Sequence, residues 1–138
     1  MLLQRQPNKW SCLPTAFAII MGIPSAEIIE LLPPGDEQPW PDKYRAWSAQ
    51  EVIRICLDLG WSATELCADE LASPGPGYDP IEIHHELNEY LEHWSGVAGV
   101  PGHAVAFDHG KFYDPSTGLE RGQPADIHTV WILNRIDN

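Results

Sequence analysis

The sequence predicts an α+β domain, with N-terminal helices packed on a C-terminal antiparallel β-sheet. Three observations lead there. Helical patterns dominate as far as Trp94 and strand patterns follow, so the elements do not alternate as βαβ units. Gly22 and Gly60 each stand where a helix-compatible run ends. Late in the chain two apolar runs flank Asp108-His109-Gly110, where Gly110 can take the positive φ of a tight hairpin. At 138 residues the chain fits one domain, 1–138, with a modest core.

The first helix is expected to begin at Ser11, whose hydroxyl is suited to accept a free N–H of the first turn. Cys12 then takes the first helical position, Pro14 falls where its missing N–H costs little, and Gly22 ends the helix. Phe17, Ile19, Ile20 and Met21 make it apolar nearly all round, so it belongs inside the domain. A short second helix runs from Ser25 to about Leu32. The Pro- and Trp-rich stretch from Pro33 to Trp47 reads as an ordered loop. Ser48-Ala49-Gln50-Glu51 matches a capping box and opens a third helix to Leu59, with Val52, Ile53, Ile55, Cys56 and Leu59 on its apolar face. Trp61 to Leu66 alternates as a short strand, and Asp69 to Tyr78 is a loop. Asp79-Pro80-Ile81-Glu82 starts a fourth helix that lasts to about Trp94. Strands are expected over Gly96–Val100, Gly102–Phe107, Lys111–Tyr113 and Thr129–Ile136.

Charge and cysteine usage exclude several functions. The net charge of −12, with no cluster of Lys and Arg, argues against nucleic acid and against anionic membranes as partners. No apolar run approaches the roughly 20 residues that span a bilayer, and no signal-peptide pattern is present, so a cytosolic location is the default. The three cysteines, Cys12, Cys56 and Cys67, form no CxxC pair, and an odd count argues against a disulfide framework. Cys56 and Cys67 read as structural. His84, His85 and His93 lie on the fourth helix, but Glu89 stands four residues after His85, so the HExxH metal spacing is not met. They read as surface histidines, and Glu82 to Glu92 as a solvated acidic face. No metal or cofactor is implied.

Cys12 is the residue that asks for chemistry. The N–H groups and dipole of a helix tip stabilise a thiolate, which predicts a lowered pKa there. In the hairpin, folding about Gly110 brings His103 alongside Asp114 and Pro115, and directly opposed residues lie about 5 Å apart. A carboxylate on one ring nitrogen of His103 fixes the tautomer that leaves the other free as a base. A one-residue slip turns Asp114 to the other face. An oxyanion needs donors: the Cys12 N–H is one, and the side-chain amide of Gln6 or Gln4 is a second.

With these residues assembled, "WSCLPTAFAII" after Gln6 and the late "GHAVAFDHGKFYDP" resemble the papain-like cysteine peptidase superfamily. Within it the chain is most similar to the peptidase C39-like group, including small stand-alone members found in bacteriophage genomes. The resemblance implies a papain-like fold, with Cys12 as nucleophile, His103 as general base and then acid, and Asp114 orienting His103. It favours Gln6 over Gln4 as the oxyanion glutamine. It covers about 30 residues at the two ends of the chain. Two departures stand out: Leu13 replaces the glycine that many members carry after the cysteine, and eleven residues before Cys12 leave no room for a propeptide.

The leading expectation is a thiol hydrolase of a peptide, isopeptide or other amide bond, acting through a Cys12 acyl-enzyme without a metal. A second keeps the site and passes the acyl group to an amine, as an acyltransferase or transglutaminase-like enzyme does. A third is a catalytically silent binding module, a phage factor sequestering a host molecule, with Trp40 and Trp47 beside Pro39 and Pro41 as an aromatic contact surface.

Overall fold

The computed structural model describes residues 1–9, 11–31, 49–68 and 80–136. The expected loops over 33–47 and 69–78, with Trp40 and Trp47, lie outside the described residues, as do Ser48 of the capping box and the side chains of His84 and His85. Four helices are described: α1 Cys12–Met21, α2 Ser25–Ile29, α3 Ala49–Asp58 and α4 Pro80–His93. Six strands are β1 Trp61–Cys67, β2 Ser95–Val100, β3 His103–Asp108, β4 Lys111–Asp114, β5 Leu119–Arg121 and β6 Thr129–Arg135. They form one sheet in the order β1-β6-β2-β3-β4-β5, with every neighbouring pair antiparallel. The α+β class is therefore as the sequence indicates. The sheet, however, is not purely C-terminal: β1 joins it as an edge strand from between α3 and α4.

All ten residues of α1 are buried, because the helix has no polar face to give to water. Full burial of a side chain such as Phe17 or Ile19 stabilises the fold by about 1.5–3 kcal/mol. The helix packs on β2 and β3, where Ala104 and Ala106 present only methyl groups beneath it. Gly22 closes it in the left-handed conformation, φ 74°, donating its N–H to Ala18 O at 2.9 Å. Period-two alternation divides the sheet residues between two cores. Val97, Ala104, Ala106, Tyr113, Trp131 and Leu133 face α1 and α3. Ala98, Val105, Phe107, Phe112, Val130 and Ile132 face the other way, with Leu91 of α4. On α3, Val52, Ile55 and Cys56 are buried, but Ile53 is 39% exposed and does not belong to its apolar face.

The β3–β4 turn is a two-residue hairpin with positive φ at both central positions, 49° at His109 and 87° at Gly110. Its tip is docked: His109 donates its N–H to Trp94 O at 3.0 Å and Gly110 donates to Leu91 O at 2.8 Å. The turn thereby satisfies carbonyls at the end of α4 that have no partner within the helix.

The first nine residues run back along α1 from its end towards its start. Leu2 N donates to Ile19 O at 2.8 Å, and Gln6 N donates to Pro115 O at 2.7 Å. This path carries Gln6 to the end of β4. No described helix is long and apolar enough to cross a membrane.

Candidate active site

Three elements bring the sequence-predicted residues to one end of the sheet. Cys12 opens α1, His103 opens β3 and Asp114 closes β4. The hairpin register pairs Asp108 with Lys111, Phe107 with Phe112 and Ala106 with Tyr113. Carried one step on, it sets Asp114 opposite Val105, two residues along from His103 and on the same face. His103 and Asp114 are therefore diagonal neighbours rather than directly opposed, a geometry still within reach of these side chains. They meet: His103 Nε2 lies 2.7 Å from Asp114 Oδ1.

Asp114 is held from several sides. Its Oδ1 also accepts the Ser116 N–H at 2.9 Å and the Ser116 hydroxyl at 2.7 Å, and Arg121 Nη1 stands 3.4 Å from Oδ2. Burial raises its pKa, but the hydrogen bonds from Ser116 and His103 outweigh that and leave the carboxyl below its ordinary value. Neither Ser116 nor Arg121 was anticipated from the sequence. A signal for the first existed, because Asp followed two residues later by a donor in Asp-Pro-Ser-Thr-Gly is Asx-turn chemistry. Arg121 lies on β5, whose three exposed residues carry no alternation to mark a strand.

Cys12 corrects an expectation. Its side chain is 1% exposed, and burial pushes its thiol up to about 11 rather than down. The N–H groups of Ala104, Leu13 and Cys12 itself favour the thiolate, as a helix tip should, but desolvation is larger and the Asp114 charge opposes ionisation too. Sheet packing over the tip thus overrides the dipole. The Ala104 interaction places the sulfur beside the backbone next to His103. No hydrogen bond joins Cys12 to His103 among the described residues; Asp114 engages the Nε2 of the imidazole. Cys56 is buried, and that burial pushes its thiol up to about 12. Cys67 is exposed.

Ser11 corrects another. It occupies the N-cap position and is buried, yet its side chain makes no cap bond. The hydroxyl instead donates to Asn8 O at 3.3 Å, fastening the incoming segment to the helix start.

The two glutamines separate cleanly. Gln4 is a structural staple: Nε2 donates to Ile23 O at 2.7 Å and Oε1 accepts the Ser25 N–H at 2.9 Å. Gln6 sits beside Pro115, but its Nε2 donates to Asn8 O at 2.7 Å and its buried Oε1 has no protein partner. Nε2 carries two hydrogens, so an oxyanion role needs only the one not committed to Asn8 O. Beside it opens a cleft of about 400 Å3 lined by Arg5, Gln6, Pro7, Asn8, Lys9 and Ser116.

Among the described residues, no group of three or more His, Cys, Asp or Glu side chains is placed to hold a metal ion. Set against known proteins, the chain matches no family model, no curated protein and no solved structure.

Proposed function

We propose that this chain is a papain-like thiol hydrolase of a peptide, isopeptide or other amide bond. The observation that carries the reading is the His103–Asp114 bond at the start of β3, on the residue preceding the Ala104 N–H that faces the Cys12 sulfur. A helix-tip cysteine, an oriented imidazole and a carboxylate held by Ser116 and Arg121 form a nucleophile, a base and its orienter.

The thiol is protonated at neutral pH in this environment. Attack is therefore coupled to proton transfer from sulfur to His103 Nδ1, not launched from a standing thiolate. The sulfur bonds to the substrate carbonyl carbon, and the oxyanion takes the Cys12 N–H and the second N–H of the Gln6 amide. His103 returns the proton to the leaving amine as the C–N bond breaks. Water, deprotonated by the same imidazole, then releases the acid and restores the thiol. An amine in place of that water gives the acyl-transfer variant of the same sequence.

The test is acid-quenched intact mass after mixing with a panel of peptide thioesters and anilides. Wild type should carry an acyl mass on Cys12, Cys12→Ala none, and His103→Ala should acylate about 10²–10⁴-fold more slowly. A product gaining one water marks hydrolysis, and one gaining the amine marks transfer. The burial of Cys12 favours a second reading, a silent binding module on this fold. No adduct across the panel, with a partner retained equally by wild type and Cys12→Ala, would establish that reading instead.

A further inference from the structure

We propose that the cleft beside the Gln6 amide is a carboxylate-binding subsite, selecting peptides with an acidic side chain close to the bond attacked. The proposal rests on the hydrolase reading for what happens to the peptide, but not for the binding itself.

The cleft's position ties it to the site. One wall is Ser116, whose hydroxyl and N–H both bond the Asp114 carboxylate, and another is Gln6. Its volume of about 400 Å3 lies within the range of pockets that enclose a small ligand, room for a side chain and adjoining backbone. Neither Cys12 nor His103 is among its described lining residues. It is a place for the substrate's flank and not for the reacting carbonyl.

Charge decides what the flank is. The chain has 8 Lys and Arg against 20 Asp and Glu, yet the cleft is lined by Arg5 and Lys9 and by no described acid. No ion pair joins either cation to a described carboxylate. Arg5 is also positioned: its Nε donates to Ser116 O at 3.1 Å, using one of five guanidinium N–H groups and holding the rest at the cleft wall. A guanidinium fork suits a carboxylate, and Lys9 adds a second charge. The net charge of −12 repels an extended polyanion such as nucleic acid. A short acidic segment feels mainly the local field, since salt screens charges beyond about 8–10 Å.

The experiment is fluorescence anisotropy with blocked, labelled tetraglutamate and tetraglutamine peptides, on the Cys12→Ala protein so that no turnover intervenes. Tetraglutamate should bind about fivefold or more tighter at about 100 mM salt, with the margin shrinking at about 500 mM. Arg5→Gln with Lys9→Gln should abolish the margin. Arg54→Gln with Arg135→Gln, an equal loss of charge at exposed positions elsewhere, should keep it. Equal binding of the two peptides, a margin that survives the Arg5 and Lys9 changes, or an equal loss in the control pair would each overturn the proposal. A margin present while wild type forms no acyl adduct would keep the subsite and remove the hydrolase.

Discussion

His103 and Asp114 meet at 2.7 Å although they are not directly opposed across the hairpin. The same carboxylate oxygen takes two further bonds from Ser116, so the acid is held by more than the histidine. Its depressed pKa makes it a pH sensor of stability. The stabilisation is whole above the ordinary carboxyl value of 3.8 and is lost as pH falls through the lowered native value. Urea midpoints from pH 7 to pH 2 should therefore fall more steeply below about pH 4 for wild type than for Asp114→Asn. Asp108, whose carboxyl is also depressed, chiefly by the Ser95 hydroxyl, contributes to the same limb, so Asp108→Asn is measured beside it. Parallel curves for wild type and Asp114→Asn would show that the carboxylate is not held as described.

The thiols should react in the order of their exposure. Cys67 should alkylate first with iodoacetamide at neutral pH, followed for mass spectrometry peptide by peptide. Cys12 and Cys56 should resist, with Cys12 gaining rate as pH approaches about 11. Their raised values add an alkaline limb to stability, whole below the ordinary thiol value of 9.0 and lost as pH rises toward about 11 for Cys12 and about 12 for Cys56. Rapid labelling of Cys12 at pH 7 would mean that the resting site holds a thiolate after all.

The two glutamines give opposite signatures. Gln4→Ala removes two hydrogen bonds that tie the N-terminal segment to the α1–α2 connection, and should cost about 1–3 kcal/mol by urea denaturation. Gln6→Ala should leave stability nearly unchanged and lower acylation by about 10²–10³-fold, the cost of one oxyanion donor. A Gln6→Ala protein that acylates normally would leave the Cys12 N–H as the sole donor.

Gly96 is a position of close approach rather than of unusual backbone. A Cβ there would lie 1.7 Å from Trp131 O, at the seam between β2 and β6. Gly96→Ala should thus part the two strands, costing about 3 kcal/mol or more, or prevent folding. A thermal midpoint within a degree or two of wild type would contradict this seam.

Local chemistry accounts for what was legible in the sequence. The all-apolar α1 with Gly22 after it, and the hairpin about Gly110, declare themselves through side-chain character within a few residues. Long-range packing accounts for what was not. Leu119, Glu120 and Arg121 are all exposed, so nothing in their pattern marks β5; only pairing with β4 makes them a strand. Ser11 has the composition of a cap, but Asn8 O competes for its hydroxyl. Cys12 has the position of an activated thiol, yet the sheet laid over the helix tip removes the water its charge would need. The site's residues were named by type and order; their protonation and their partners were set by neighbours far away in the chain.

Strand β6 lies between β1 and β2, though it follows both in the chain. The sheet is thus completed from its middle. As the chain emerges from the ribosome, β1 and the β2–β4 hairpins can form only as separate pieces, and nothing zips them together until Thr129–Arg135 slots in. Nascent chains stalled before Thr129 should accordingly remain open to protease, and those stalled well beyond Arg135 should not. The last strand to be made is the one that turns two separate pieces into a single sheet.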